Sequence, residues 1–476
     1  MTVYTIFGIV ALGAFILALI RFIVNRPHNI LITFLQDFVG VFFIFSGFVK
    51  AVDPLGTSYK MHEYFEAFSV EGLRPMWEYI ATFSTFFAIV MIAAELFVGL
   101  MLIIGWKPRF TVGIIWLLTL FFTFLTGFTY LSGYGITKPF ILISGAAILL
   151  FAAVAFPEKQ SRRINITFFA FGMAVILFLI TKLTGHFFTS EFTESKMQVT
   201  DCGCFGDFIK LKPWETFYKD IILDLMILML VLNVKFVRPV FGNMFRSGVA
   251  GFGALASLLF CLYNVYSNEP VIDFRPYKIG NDINDLRIEK KPEVRQIEWE
   301  CHNKITGKWE TLSYDDVTKK GMQVQCEKFD TNCRKDIILD PGIPAKITNL
   351  RIEDGDGNDI TDTLLADPGY SCMVVVYNLN ITHAEAFKQL NAIAAGMDKL
   401  GLKFYVVAVN NGKVDEFRHQ YQTAYTFYNA DETPLKTIIR SNPGLVLFKH
   451  GVVINKWHYR HLPTFGELNQ EYFSKK

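Results

Sequence analysis

Eight apolar stretches, at residues 3–24, 31–50, 77–105, 111–131, 139–156, 165–188, 217–237 and 246–266, constrain this chain more than any other feature. Each is near or above the ~20 residues that a helix needs to cross a bilayer. In lipid only helices and closed barrels satisfy their own backbone polar groups. The rest of the 476 residues are polar and mixed, although the whole chain is 52% hydrophobic with 47 phenylalanines. The apolar residues are therefore concentrated in a membrane domain, followed by a water-soluble part. The first stretch lacks a basic leader and a small-residue cleavage site, so it reads as an anchor rather than a removable signal. A net charge of +2, with no basic stripe alternating with aromatics, gives no footprint for nucleic acid.

The connections between stretches alternate in charge. Arg21 and Arg26, then Lys107 and Arg109, then Lys159, Arg162 and Arg163, then Lys235, Arg238 and Arg246 lie in short basic connections. By the positive-inside rule these are cytoplasmic. Residues 51–76, 132–138 and 189–216, where acidic residues offset the lysines, fall on the opposite side. The N-terminus and everything from about residue 268 onward are then extracytoplasmic, with the bacterial inner membrane as the expected location.

Residues 201–207, DCGCFGD, lie on that outer side. Cys202 and Cys204 are separated only by Gly203, which supplies the backbone freedom that a small disulfide ring needs. Rings of this kind depart from relaxed geometry and are exchanged more readily than structural disulfides. An oxidising compartment favours such a bond. The alternative reading is a glycine-rich turn whose two thiols merely pack. Asp201 and Gly203 support the candidate site.

Ionisable residues inside spans are costly and therefore informative. They are Asp37, Glu95, Lys182, Asp220 and Asp224. Asp220 and Asp224, four apart, share a helix face. Lys182 and Asp224 both lie ~9–10 Å inward from the outer ends of their spans at the helical rise. They can form an ion pair beneath the cysteine loop, or belong to a proton path. Asp37 and Glu95 read as bundle-facing polar residues nearer the cytoplasmic ends. Between the spans, Asp53-Pro54 suits a helix start with Asp53 as cap. Tyr64, Phe65 and Phe68 then predict an amphipathic segment lying at the outer surface.

In the soluble part, residues 284–365 mix short β-type runs with polar turns and contain Cys301, Cys326 and Cys333. Two of these can form a structural disulfide. Three connectivities are open, Cys326–Cys333 being the nearest pair in sequence. The cysteine spacing matches no zinc pattern. EDGDGNDITD, at 353–362, imitates a calcium loop, but Asp359 stands where glycine is required and Leu365 where glutamate is required, which makes it a plain acidic turn. From Ser371 the pattern is α/β: a buried strand CMVVVYNL, a helix with Thr382 as cap and Gly401 as stop, a strand LKFYVVAV, a helix at 412–421, a strand at 425–429, a helix at 433–440, Asn442-Pro443 and the hairpin LVLFKHGVVINKW.

This order, with a proline before the hairpin, looks like a thioredoxin fold. The resemblance implies that Pro443 is cis and faces the place of the redox cysteines. That place reads NLNITH, at 378–383, without a cysteine, and Cys372 has no partner in the domain. The tail is then a docking module rather than a self-sufficient dithiol. The membrane half resembles the DoxX/MauE superfamily through SGFVKAVDPLG (46–56), AAELFVGLMLIIG (93–105) and DCGCFGD followed by WETFYKDIILDL (214–225). The whole chain looks like the Bacteroidota branch of that group, with a C-terminal thioredoxin-like domain. MauE proteins are associated with methylamine utilisation and with forming disulfides in methylamine dehydrogenase, which implicates Cys202 and Cys204 as a thiol pair. Nothing in the sequence points to methylamine itself.

The expected architecture is an α-helical polytopic membrane bundle of about eight spans (1–267), an extracytoplasmic β-rich module (268–368) and a thioredoxin-like α/β domain lacking CxxC (369–476). Two functions compete. One is a thiol–disulfide protein exchanging with an extracytoplasmic protein client through Cys202 and Cys204. The other is a non-enzymatic scaffold or accessory subunit of a membrane protein complex. No cofactor is evident; electrons can pass to quinone or to a second membrane protein, yet no quinone site is legible. No metal site is expected. The bilayer is the partner common to both readings.

Overall fold

The computed structural model describes residues 3–25, 29–68, 74–134, 197, 199, 203–206, 208–209, 211–239, 241–266, 269–327, 334–340, 342–409 and 412–474. The chain divides into two compact units, 1–274 and 275–476.

The first unit is helical. Its helices are α1 (Val3–Asn25), α2 (Ile30–Val52), α3 (Pro54–Ala67), α4 (Arg74–Ala81), α5 (Ser84–Ile104), α6 (Pro108–Ser132), α7 (Pro213–Leu232) and α8 (Asn243–Tyr266). Among the described residues five of these are long and apolar enough to cross a membrane: α1, α2, α5, α6 and α8. Several expose apolar faces, as at Leu12, Phe15 and Ile23 of α1 and Phe252 and Leu255 of α8. Such faces suit lipid rather than water.

The expectation of eight spans is thus corrected to five among the described residues. The stretch at 217–237 falls on α7, whose Glu215, Lys219, Asp220 and Asp224 make it too charged to count with the others. The stretches at 139–156 and 165–188, with Lys182, lie outside the described residues.

Local chemistry starts and joins the helices. Asn29 caps α2, its side chain accepting from Ile32 N at 3.1 Å. Asp53 ends α2 and caps α3, accepting from Gly56 N at 3.2 Å, with Pro54 in the first turn where no amide donor is needed. Helices α2 and α5 cross at glycines. A Cβ on Gly99 would stand 2.9 Å from Gly40 O, so the backbones touch as small residues permit in membrane bundles.

The expected surface helix at 54–67 instead packs inward. Tyr64, Phe65 and Phe68 are buried with Phe128 and Ala88. Tyr64 shares a 2.7 Å hydrogen bond with Thr129 Oγ1, so its polar tip is satisfied inside the bundle.

The second unit carries two sheets. Strands β1 (Val294–His302), β2 (Trp309–Ser313) and β3 (Arg334–Asp340) form an antiparallel sheet in the order β2-β1-β3. Cys301 on β1 is joined to Cys326, both buried beside Leu312. Of the open pairings this is the one formed; Cys333 lies outside the described residues. The loop at 353–362 is a turn built on Asp354, which accepts from the backbone amides of Asp356 and Asn358, both at 2.9 Å.

The larger sheet has the order β4-β7-β6-β5-β8-β9, from β4 (Ile352–Glu353), β5 (Tyr370–Val376), β6 (Lys403–Ala408), β7 (Thr426–Ala430), β8 (Gly444–Lys449) and β9 (Val452–His458). β5, β6 and β7 run parallel, while β8 pairs antiparallel to β5 and to β9. Cys372, Val374, Val376 and Val406 pack with Phe387, Leu390, Ile393 and Met397 of α9 (Phe387–Lys399). Met373, Val375 and Val407 pack on the other face with Leu435 and Ile438 of α11 (Glu432–Ile438). Both faces are covered, hence the near-continuous apolar runs in these strands. Between them lies α10 (Val414–Tyr421).

Helix α9 begins later than Thr382. The segment before it is drawn into other bonds: Asn378 accepts from Asn380 N at 3.0 Å, and His383 N donates to Asn442 O at 3.0 Å. Those bonds hold residues 379–386 in short tight turns rather than a continuous helix.

Candidate functional site

The loop bearing Cys204 is anchored by an aromatic plug. Phe205 is 1% exposed and meets Phe42 edge-on at 6.0 Å, with Phe45 also at 6.0 Å. Gly206 N donates to Gly203 O at 3.0 Å, closing a turn around Cys204. Gly203 has φ +59, and a Cβ there would lie 3.1 Å from Lys60 Cγ. The left-handed backbone is what favours glycine here; the Lys60 contact is tight but lies on a flexible side chain. Cys204 is a free thiol. Asp201 and Cys202 lie outside the described residues.

Beneath this loop two ion pairs meet. Lys50 Nζ, near the C-terminal end of α2, is 2.5 Å from Glu95 Oε1 of α5. Ser46 Oγ lies 3.2 Å from Glu95 Oε2 and 3.4 Å from Cys204 O, a donor placed between carboxylate and loop. Lys219 Nζ is 2.6 Å from Asp220 Oδ1 on α7, and Thr126 Oγ1 of α6 donates to Asp220 Oδ2 at 3.0 Å. Lys219 also lies 5.5 Å from the Phe42 ring and 5.4 Å from the Phe205 ring, and Lys50 stands 4.7 Å over Phe122. The side chains of both pairs are at most 5% exposed. Buried charges persist in apolar surroundings when paired and hydrogen-bonded in this way.

Two small cavities adjoin the thiol. One of about 20 Å³ is lined by Ser46, Lys50, Glu95, Cys204, Lys219 and Asp220, among others. A second, of about 30 Å³, is lined by Lys50, Lys60, Tyr64, Thr126, Gly203 and Cys204, among others. Each has room for a water, and polar partners for it. Burial pushes the Cys204 thiol up to about 11; Lys219 and Lys50 pull it down, while Asp220 and Glu95 push it further up. The thiol is therefore neutral at pH 7, and its ionisation is exposed to all four charges.

Asp224 sits one turn from Asp220, where Thr123 Oγ1 donates to its Oδ2 at 2.6 Å. Its expected partner Lys182 lies outside the described residues; within them, the lysine of this helix pairs with Asp220 instead. Glu95 faces the bundle interior as expected, where it is joined to Lys50 and lines the cavity at Cys204. Asp37 does lie apart, paired with Arg21 at 2.7 Å. Sequence reasoning missed Lys50 and Lys219. Lys50 is the last residue of the 31–50 stretch, where a lysine at the end of an apolar run draws no notice, and Lys219 is hidden by its neighbour Asp220. The signal in both cases was a lysine within reach of an intramembrane carboxylate.

In the second unit Pro443 follows a cis bond from Asn442. The turn it makes faces residues 378–383: Asn442 Nδ2 donates to Asn378 O at 2.7 Å, and the His383 ring stacks on Tyr459 at 4.0 Å. No cysteine is present in that segment. Cys372 is fully buried among apolar side chains, and burial holds its thiol well above the ordinary cysteine range. The structure does not bring it to Pro443.

Together the apolar helices and sheets describe a polytopic helical membrane protein with a second, sheet-bearing unit. Residues 28–138 match the family model described as Methylamine utilisation protein MauE. That stretch holds Ser46, Lys50 and Glu95 but not the cysteine loop. No curated protein and no solved structure matches the chain.

Proposed function

We propose that this chain is a MauE-like membrane protein that exchanges disulfides with an extracytoplasmic client through Cys202 and Cys204. One cysteine thiolate attacks a sulfur of the client disulfide, forming a mixed disulfide and releasing the other client sulfur as thiolate. The second cysteine displaces the client, which leaves as a dithiol while Cys202–Cys204 becomes the disulfide. The reverse sequence oxidises a client dithiol and reduces the loop by the same two electrons. The observation that carries this reading is the placement of Cys204 against two buried ion pairs and two water-sized cavities. A purely packed thiol has no use for such surroundings.

An extracytoplasmic position for both the loop and the second unit is supported by the basic connections of the opposite side and by the Cys301–Cys326 disulfide, a bond of oxidising compartments. In a bacterium this is the periplasmic face of the inner membrane. The sheet order, with helices packed on both faces, supports a thioredoxin-like tail that recruits the client. The test is a redox titration of Cys202–Cys204 in membranes across glutathione buffers, read by differential alkylation and mass spectrometry. Reversible oxidation at roughly −180 to −260 mV supports exchange. Thiols that stay reduced throughout end the redox reading.

A second reading, an accessory subunit whose large second unit contacts a membrane complex, is favoured by one observation. The segment facing Pro443 has no cysteine, so the tail has no dithiol to pass on. Co-purification of a stable complex with a Cys202→Ser/Cys204→Ser chain would support it.

A further inference from the structure

The ion pairs at Cys204 come from different parts of the bundle yet have the same composition. Each joins a lysine to a carboxylate, and each carboxylate is held by a hydroxyl: Ser46 for Glu95 and Thr126 for Asp220. They line one cavity with Cys204 between them. A single ion pair would be enough to tie α2 to α5. Two pairs around one thiol put two ammonium groups and two carboxylates where each can act on its ionisation.

We propose that Lys50–Glu95 and Lys219–Asp220 are positioning pairs that set the ionisation of Cys204, the two ammonium groups holding the thiolate and the two carboxylates opposing it. In the step itself the Cys204 S–H bond breaks, the electron pair stays on sulfur, and the proton leaves as hydronium. Its way out is the second cavity, which runs from Cys204 to Lys60, a residue whose side chain is 23% exposed. Other charges facing the site are Asp224 on α7 and Glu63, which pairs with Lys60 on α3. The inference rests on the reading that this loop carries the thiol chemistry.

The test follows Cys204 alkylation by a small haloacetamide across pH. It uses the full-length chain in membranes carrying Cys202→Ser, so that no disulfide ties up the thiol, with the peptide containing residue 204 quantified by mass spectrometry. Lys50→Met and Lys219→Met are expected to raise the midpoint by about one pH unit, about a tenfold slower reaction at fixed pH. Glu95→Gln and Asp220→Asn are expected to lower it by a similar amount. Pairs that serve packing alone would alter access without moving midpoints, or move all four the same way, and either result overturns the inference. Should the methionine variants fail to fold, the near-isosteric Glu95→Gln and Asp220→Asn decide, since each amide can still take its hydroxyl and lysine hydrogen bonds. Midpoints that fall in both support the inference. Midpoints that stay or rise overturn it. The glutathione titration of the unsubstituted pair stands apart: it can fail while the opposite shifts persist, or succeed while they are absent.

Discussion

Two of the free cysteines, the half-buried Cys204 and the fully buried Cys372, live in opposite surroundings. Cys204 borders four charged side chains and two cavities, whereas Cys372 is enclosed by Val374, Phe387, Leu390 and other apolar groups on the covered face of β5. The helical unit buries Arg21, Asp37, Lys50, Glu95, Lys219 and Asp220 in pairs; the second unit also buries Arg275, Arg440 and Lys456, but burial alone acts on the Cys372 thiol. A fold needs no buried charge to be stable, and pairs replaced by well-packed apolar residues are often neutral or stabilising. Charge retained around one thiol and absent around the other separates a site from a core.

The sharpest way to break this comparison is thiol reactivity against pH. Because the Cys204 thiol is pushed up to about 11, it is neutral below that value and becomes thiolate as pH rises through it. Alkylation in the reduced protein is expected to climb about tenfold per pH unit, roughly a thousandfold from pH 7 to 10. Cys372 is expected to stay unlabelled over the same range until the unit unfolds. Equal labelling of the two would erase the distinction.

A smaller effect sharpens it through stability. Glu95→Ala, which strands Lys50, is expected to destabilise the bundle by ~3–5 kcal/mol, measured by denaturation in detergent. Lys50→Met/Glu95→Leu is expected to recover most of that loss, with Cys204 alkylation at fixed pH within about threefold of the parent because the two charges leave together. A double variant as unstable as Glu95→Ala would remove the account of a stranded charge. In the second unit, Cys301→Ser with Cys326→Ser is expected to cost about 3 kcal/mol, from a closure 25 residues apart. Protease sensitivity should appear first near β1–β3, leaving Cys204 reactivity unchanged. Last, Cys372→Ser is expected to cost ~1–3 kcal/mol by placing a hydroxyl without a partner in an apolar layer, again with no change in exchange.

Much of this was legible beforehand for reasons particular to each element. The buried strand at 370–376 is an apolar run because both of its faces are covered, and a run of that kind survives any uncertainty of partner. Asp53-Pro54 and Gly401 act locally, so the capped start of α3 and the stop after α9 follow from adjacent residues. What was not legible depended on contacts between distant residues. The partner of Glu95 is not visible in the sequence because Lys50 lies 45 positions earlier and reaches it only once α2 and α5 cross at Gly40 and Gly99. Tyr64, Phe65 and Phe68 have the same helical spacing whether they face lipid or protein. Only the hydrogen bond to Thr129 decides. The start of α9 depends likewise on a distant residue, since Asn442 O takes the amide of His383.

The Lys50–Glu95 pair also bears on how the protein enters the bilayer during synthesis. A lone lysine or acidic residue at the centre of a span costs ~2.5–3.5 kcal/mol on insertion scales. Lys50 lies near the C-terminal end of α2, where its long stem lets the ammonium reach the interface on its own. Once Lys50 joins Glu95 of α5, the two charges can instead be held inside the bundle as a neutral couple.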